Sequence, residues 1–84
     1  MEFQVKIDRQ ATKDLEKLPK SYQEKILRIL LSLAKNPYIG KKLAGKLKDA
    51  YSYRVGTYRI IYKVYKNYLL VIIIRIGHRQ RIYK

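Results

Sequence analysis

Apolar and polar residues alternate from Glu2 to Ile7, with Phe3, Val5 and Ile7 on one side. That is the period of a half-buried strand. Asp8 stands next, where a helix N-cap belongs. Ala11, Leu15 and Leu18 recur at i, i+4 and i+7 and predict an amphipathic helix that Pro19 ends or bends. Ser21 with Glu24 three residues later has the form of a capping box, so a second helix is predicted to begin there. Its apolar positions are Tyr22, Ile26, Leu27, Ile29, Leu30, Leu31, Leu33 and Ala34. This stripe is wider than a surface helix needs, and the helix is expected to pack on more than one side. Asn36-Pro37 closes it. The short break between the helices predicts an antiparallel hairpin.

Tyr38 to Asp49 reads as a linker within the domain, with Gly40, Gly45 and lysines 41, 42, 46 and 48. Alternation resumes on both sides of Gly56-Thr57, over Tyr51–Val55 and Tyr58–Val64, and predicts two strands joined by a two-residue turn. Gly at the first turn position suits type II′. That turn sets Val55 opposite Tyr58 and Arg54 opposite Arg59. A turn near Lys66-Asn67 leads into Tyr68–Ile74, which is apolar on both faces and predicts a central strand. The helices can cover one side of it, and the Gly77–Lys84 tail is the remaining material for the other.

Composition changes this picture mainly through charge. The 84 residues suffice for a single domain, 1–84, with one core. There is no cysteine and one histidine, His78, so thiolate and histidine-cluster metal sites are excluded, and no cofactor is expected. No signal pattern and no membrane-length apolar run is present, so a soluble cytoplasmic protein is expected. Twenty Lys and Arg face six Asp and Glu, a net charge of +14. Residues 1–34 carry +2 of it and residues 35–84 carry +12, with Asp49 the last acid in the chain. Segregated charge of one sign points to a polyanion. Nine tyrosines and one phenylalanine interleaved with the cations favour nucleic acid over a membrane surface or an acidic protein, because bases stack on aromatic faces. A basic surface also serves solubility, which rarely requires such segregation.

Two features point to candidate chemistry. Arg54 beside Arg59 is a like-charged cross-strand pair that destabilises a bare hairpin. An anionic partner would offset it; a solvated outer face with splayed cations is the equal alternative. Lys41, Lys42, Lys46 and Lys48 can grip a phosphate backbone as point charges, or simply solvate a loop.

Tyr53-Arg54-Val55-Gly56-Thr57-Tyr58-Arg59-Ile60-Ile61-Tyr62 and Gly77-His78-Arg79-Gln80-Arg81-Ile82-Tyr83 resemble the hairpin and terminal signatures of the RelE/ParE toxin superfamily. The order of elements is similar along the whole chain. The resemblance implies an α+β fold, a small antiparallel sheet with an N-terminal helix hairpin on one face. RelE-type members are ribosome-dependent endoribonucleases that cut mRNA in the decoding site; ParE-type members poison DNA gyrase. Carried over by position, the implied catalytic set is Arg54, Arg59, Arg79, Arg81 and Tyr83, with His78 a candidate base or acid if it faces them. Ser52 stands where RelE proteins carry a strand lysine, so no proton acceptor is identified. The implied activity is metal-independent RNA cleavage by attack of the 2′-OH on the adjacent phosphate. The implied partners are an acidic antitoxin and the ribosome with its mRNA, with no membrane and no small-molecule substrate. The alternative is a non-enzymatic gyrase inhibitor or a basic nucleic-acid-binding module.

Overall fold

The computed structural model describes residues 2–43, 45 and 49–78. Strand β1 (Gln4–Ile7) is followed by helices α1 (Arg9–Glu16) and α2 (Lys20–Lys35). A 3-10 turn (Pro37–Ile39) then leads into the short strand β2 (Lys41–Lys42). Strands β3 (Ala50–Val55) and β4 (Tyr58–Tyr65) follow, and a second 3-10 turn (Lys66–Tyr68) leads into β5 (Leu70–His78). The five strands form one sheet in the order β1-β5-β4-β3-β2.

β3, β4 and β5 pair antiparallel as expected, β2 adds antiparallel to β3, and β1 pairs parallel with β5, so the sheet is mixed rather than antiparallel throughout. The first strand docks beside the last, a pairing that no local pattern records. The helices cover one face. Ala11, Ile26, Leu30 and Leu33 meet Val55, Ile60, Tyr62, Val64, Val71, Ile73 and Ile76 in one buried cluster. Leu15 and Leu18 pack against its margin. Each fully buried aliphatic side chain there contributes about 1.5–3 kcal/mol.

Ile73 and Ile76 both belong to that cluster although they are three residues apart. A register shift reconciles them: Ile61 pairs with Arg75 but Tyr62 pairs with Ile73, leaving Ile74 as the extra residue of a bulge. β5 also runs beyond the end of β1, whose pairing stops at Ile73. There the Asp14 carboxylate of α1 covers the open edge. It accepts the Ile76 N–H at 3.0 Å and the Arg75 Nε–H at 2.8 Å.

Two local expectations are corrected and one is met. The Ser21–Glu24 capping box does not form, because Pro19 is the N-cap of α2 and Lys20 is already helical. No side chain caps the free N–H groups at this end, and the Gln23 side chain donates to the Leu18 carbonyl in the preceding turn at 3.0 Å. Helix α1 ends ahead of Pro19 as expected, at Glu16, so Leu18 of the predicted stripe lies just beyond it. The broad stripe of α2 is covered on one side only: Leu27 and Leu31 are 47% and 69% exposed. Together with Val5, Ile7, Leu30 and Ala34 they line an apolar groove.

Candidate nucleic-acid interface

The hairpin forms in the expected register, with Val55 opposite Tyr58 and Arg54 opposite Arg59. Gly56 takes φ +60°, and Thr57 is not among the residues with positive φ. A left-handed first turn position followed by an ordinary second one is type II′ geometry. A Cβ at Gly56 would also lie 2.7 Å from the Tyr22 hydroxyl.

Side chains alternate across a sheet, so the helix-facing set fixes the rest. Tyr51, Tyr53 and Val55 of β3, and Ile60, Tyr62 and Val64 of β4, belong to or pack on the core. Ala50, Ser52, Arg54, Arg59, Ile61 and Lys63 therefore occupy the outer face. Lys6 joins them from β1, since its neighbours Val5 and Ile7 pack on the core. None of the five strands contains a carboxylate. The outer face thus presents cations around the buried Ala50, Ser52 and Ile61, with no acid among them.

The expected linker is partly ordered into the sheet. Lys41 pairs with Ser52 and Lys42 with Tyr51. Directly opposed residues share a face. Lys41 consequently lies on the arginine face, and Lys42 on the other. Lys41, Ser52, Arg54 and Arg59 line one cleft of about 430 Å³, together with Ile39, Gly40 and Leu43. Arg54 is exposed and Arg59 half-buried.

A buried tyrosine builds this edge. Tyr62 is fully buried, its ring stacked on Tyr51 at 5.7 Å. Its hydroxyl donates to the Pro37 carbonyl at 2.8 Å and accepts the Gly40 N–H at 3.1 Å. Burial pushes the phenol up to about 12, the Gly40 N–H opposing and Tyr51 and Tyr53 adding to the rise. A Cβ at Gly40 would fall on the Tyr62 hydroxyl and 2.8 Å from the Ser52 carbonyl oxygen, so the close approach requires glycine. Sequence reasoning missed Tyr62. The available signal was its place on the core-facing side of β4, where a phenol needs a polar partner.

His78 does not face the arginines. It pairs with Tyr58, on the helix-side face, and its ring meets that of Tyr58 edge-on at 5.9 Å. The residue opposite Arg59 is Gly77, which adds no side chain. Arg79, Arg81, Tyr83, Lys46 and Lys48 lie outside the described residues. Among the described residues no three of His, Asp and Glu come together as a metal site. No helix there is long and apolar enough to cross a membrane.

Comparison with known proteins adds to this geometry. The profile of the family described as "ParE toxin of type II toxin-antitoxin system, parDE" matches residues 5–83. Toxin RelG of Mycobacterium tuberculosis is 33% identical over 86 residues, covering 100% of this chain and 99% of the relative. The toxin-antitoxin complex RelBE2 of M. tuberculosis contains a chain similar at TM-score 0.87 and 31% identity, covering 94% of this chain and 100% of that one. A chain of the archaeal RelE-RelB complex of Pyrococcus horikoshii is similar at TM-score 0.83 and 32% identity, covering 96% and 99%.

Proposed function

The chain belongs to the RelE/ParE superfamily of type II toxin–antitoxin toxins, on its RelE-like branch, and we propose that it cleaves ribosome-bound mRNA with its outer sheet face. The observation that carries this reading is the Arg54–Arg59 pair on a sheet face without carboxylates, lining a cleft with Lys41. Two guanidiniums side by side cost on the order of 1 kcal/mol in water. They recover it when a phosphate sits between them, because each offers a planar fork of donors to phosphate oxygens. In the cleavage step the 2′-hydroxyl gives up its proton as its oxygen bonds to phosphorus, the P–O5′ bond breaks, and the departing 5′-oxygen takes up a proton, leaving a 2′,3′-cyclic phosphate and a 5′-hydroxyl. Arg59 holds the phosphate, and Arg54 closes over it as charge develops. The resemblance assigns Arg79, Arg81 and Tyr83 to the same site. The described face contributes charge and position rather than proton transfer, which suits an enzyme whose substrate the ribosome orients.

The partner proposed for the resting state is an acidic antitoxin. The relatives in the RelBE2 and P. horikoshii structures are in complexes with RelB-type partners. A net charge of +14 and an open apolar groove at Leu27 and Leu31 fit a segment that combines acidic residues with an amphipathic helix.

The ParE profile favours a second reading, inhibition of DNA gyrase. The two separate in a translation extract. The nuclease reading expects a defined mRNA to be cut only when ribosomes are translating it. Intact mRNA, together with loss of gyrase supercoiling at the same toxin concentration, would establish the inhibitor instead.

A further inference from the structure

Lys41 shares the cleft of Arg54 and Arg59, and the chain invests three fixed contacts in placing it. We propose that Lys41 is the third arm of a phosphate cradle formed with Arg54 and Arg59, and that the buried Tyr62 hydroxyl positions it there. The proposal rests on the nuclease reading for the owner of the phosphate, an RNA strand, and on the cleft alone for the cradle.

Register supplies the geometry. Lys41 is opposite Ser52, and Arg54 follows Ser52 by two residues on the same face, directly opposite Arg59. Adjacent strands lie about 4.8 Å apart, and two residues span about 6.8 Å along a strand. The Lys41 Cα is therefore about 8 Å from that of Arg54 and about 12 Å from that of Arg59. Lysine and arginine side chains are long enough for three heads to meet above Ser52. Their chemistry is complementary: two guanidinium forks take paired phosphate oxygens, and a compact ammonium takes a third.

Placement separates Lys41 from an ordinary solvated lysine. β2 has two residues, too few to hold a register unaided. Its entry is pinned at Pro37 and Gly40 by the Tyr62 hydroxyl, and its exit by the Leu43 N–H bonded to the Ala50 carbonyl at 2.9 Å. Gly40 packs against the Ser52 carbonyl in a space no other residue fits. The adjacent Lys42, of equal charge, is turned to the opposite face.

Inorganic phosphate titrated into the full chain and followed by amide NMR tests the cradle without a ribosome. Phosphate should move the signals of Lys41, Ser52, Arg54 and Arg59 together. Lys41→Ala should weaken phosphate about tenfold, whereas Lys35→Ala, which removes the same charge from the end of α2, should leave affinity within twofold. Tyr62→Phe should weaken it about as much as Lys41→Ala while the amide signals of Ile60 and Val64 stay in place. Gly40→Ala, which displaces the same segment sterically, serves if Tyr62→Phe does not fold. Equal losses for Lys41→Ala and Lys35→Ala, or shifts centred elsewhere, would overturn the cradle; full affinity in Tyr62→Phe would overturn the positioning role. A chain that binds phosphate in this way yet cuts no mRNA keeps the cradle and loses the nuclease reading.

Discussion

A phenol sealed from water keeps its proton, and Tyr62 shows what that proton does. It is spent on the Pro37 carbonyl, so ionisation would break the bond that holds the cleft's edge. Because the folded phenol is raised to about 12 from the ordinary 10, its contribution is complete below pH 10 and is lost as pH climbs toward 12. Unfolding free energy of the native chain should therefore fall across that window, and Tyr62→Phe should flatten the fall; equal slopes in denaturation titrations would contradict this. Asp14 has the opposite sign. Burial raises its carboxyl, but bonds from Arg75, the Ile76 N–H and Gln10 outweigh that and hold it below the usual range. Its contribution is present above the unfolded value and lost as pH falls through the folded one. Arg75 is 43% exposed, so solvent screens the ion pair, and the Ile76 amide is the partner that water cannot readily replace. Asp14→Ala should cost about 1–3 kcal/mol by leaving that amide unpaired. An unchanged urea midpoint would show that water substitutes for the carboxylate.

Among the elements, those with a local cause were legible in the chain. The Gly56-Thr57 turn needs only a glycine and flanking alternation, and it delivered the Arg54–Arg59 register to the residue. Stripes at Ile26, Leu30 and Leu33 gave the buried face of α2. What escaped has causes distant in sequence. The parallel docking of β1 on β5 joins the two ends of the described chain, and the bulge at Ile74 answers to packing of Ile73 and Ile76 under α1. β2 depends on a tyrosine some twenty residues downstream. The two-fold view of the Arg pair as solvated or anion-binding was open from the sequence, and the cleft with Lys41 gives it a shape. Leu30→Asp tests the packing: a carboxylate in that cluster has no partner, and the domain should fail to fold at 37 °C. A normal melting temperature in that variant would contradict the helix-on-sheet core.

At the scale of the whole molecule, the two faces differ in chemistry. The helix side leaves Leu27 and Leu31 open, and the sheet side concentrates charge. Leu31→Glu should weaken an acidic antitoxin by about 10–100-fold while leaving the melting temperature within a few degrees, since the side chain is mostly exposed. The cationic face behaves differently. On the proposed nuclease reading, the thirteen basic residues from Lys35 on would share any general attraction to ribosomal RNA, so no single one should dominate affinity. Chemistry is not shared in that way, because only groups at the reacting phosphate stabilise its developing charge. The most direct measurement is cleavage of a defined mRNA in a translation extract by Arg59→Ala and by Lys35→Ala, with ribosome binding recorded for both. Arg59→Ala is expected to lower cleavage about 10²–10³-fold with binding nearly intact, and Lys35→Ala to leave cleavage unchanged; equal cleavage by the two variants would contradict a catalytic arginine face.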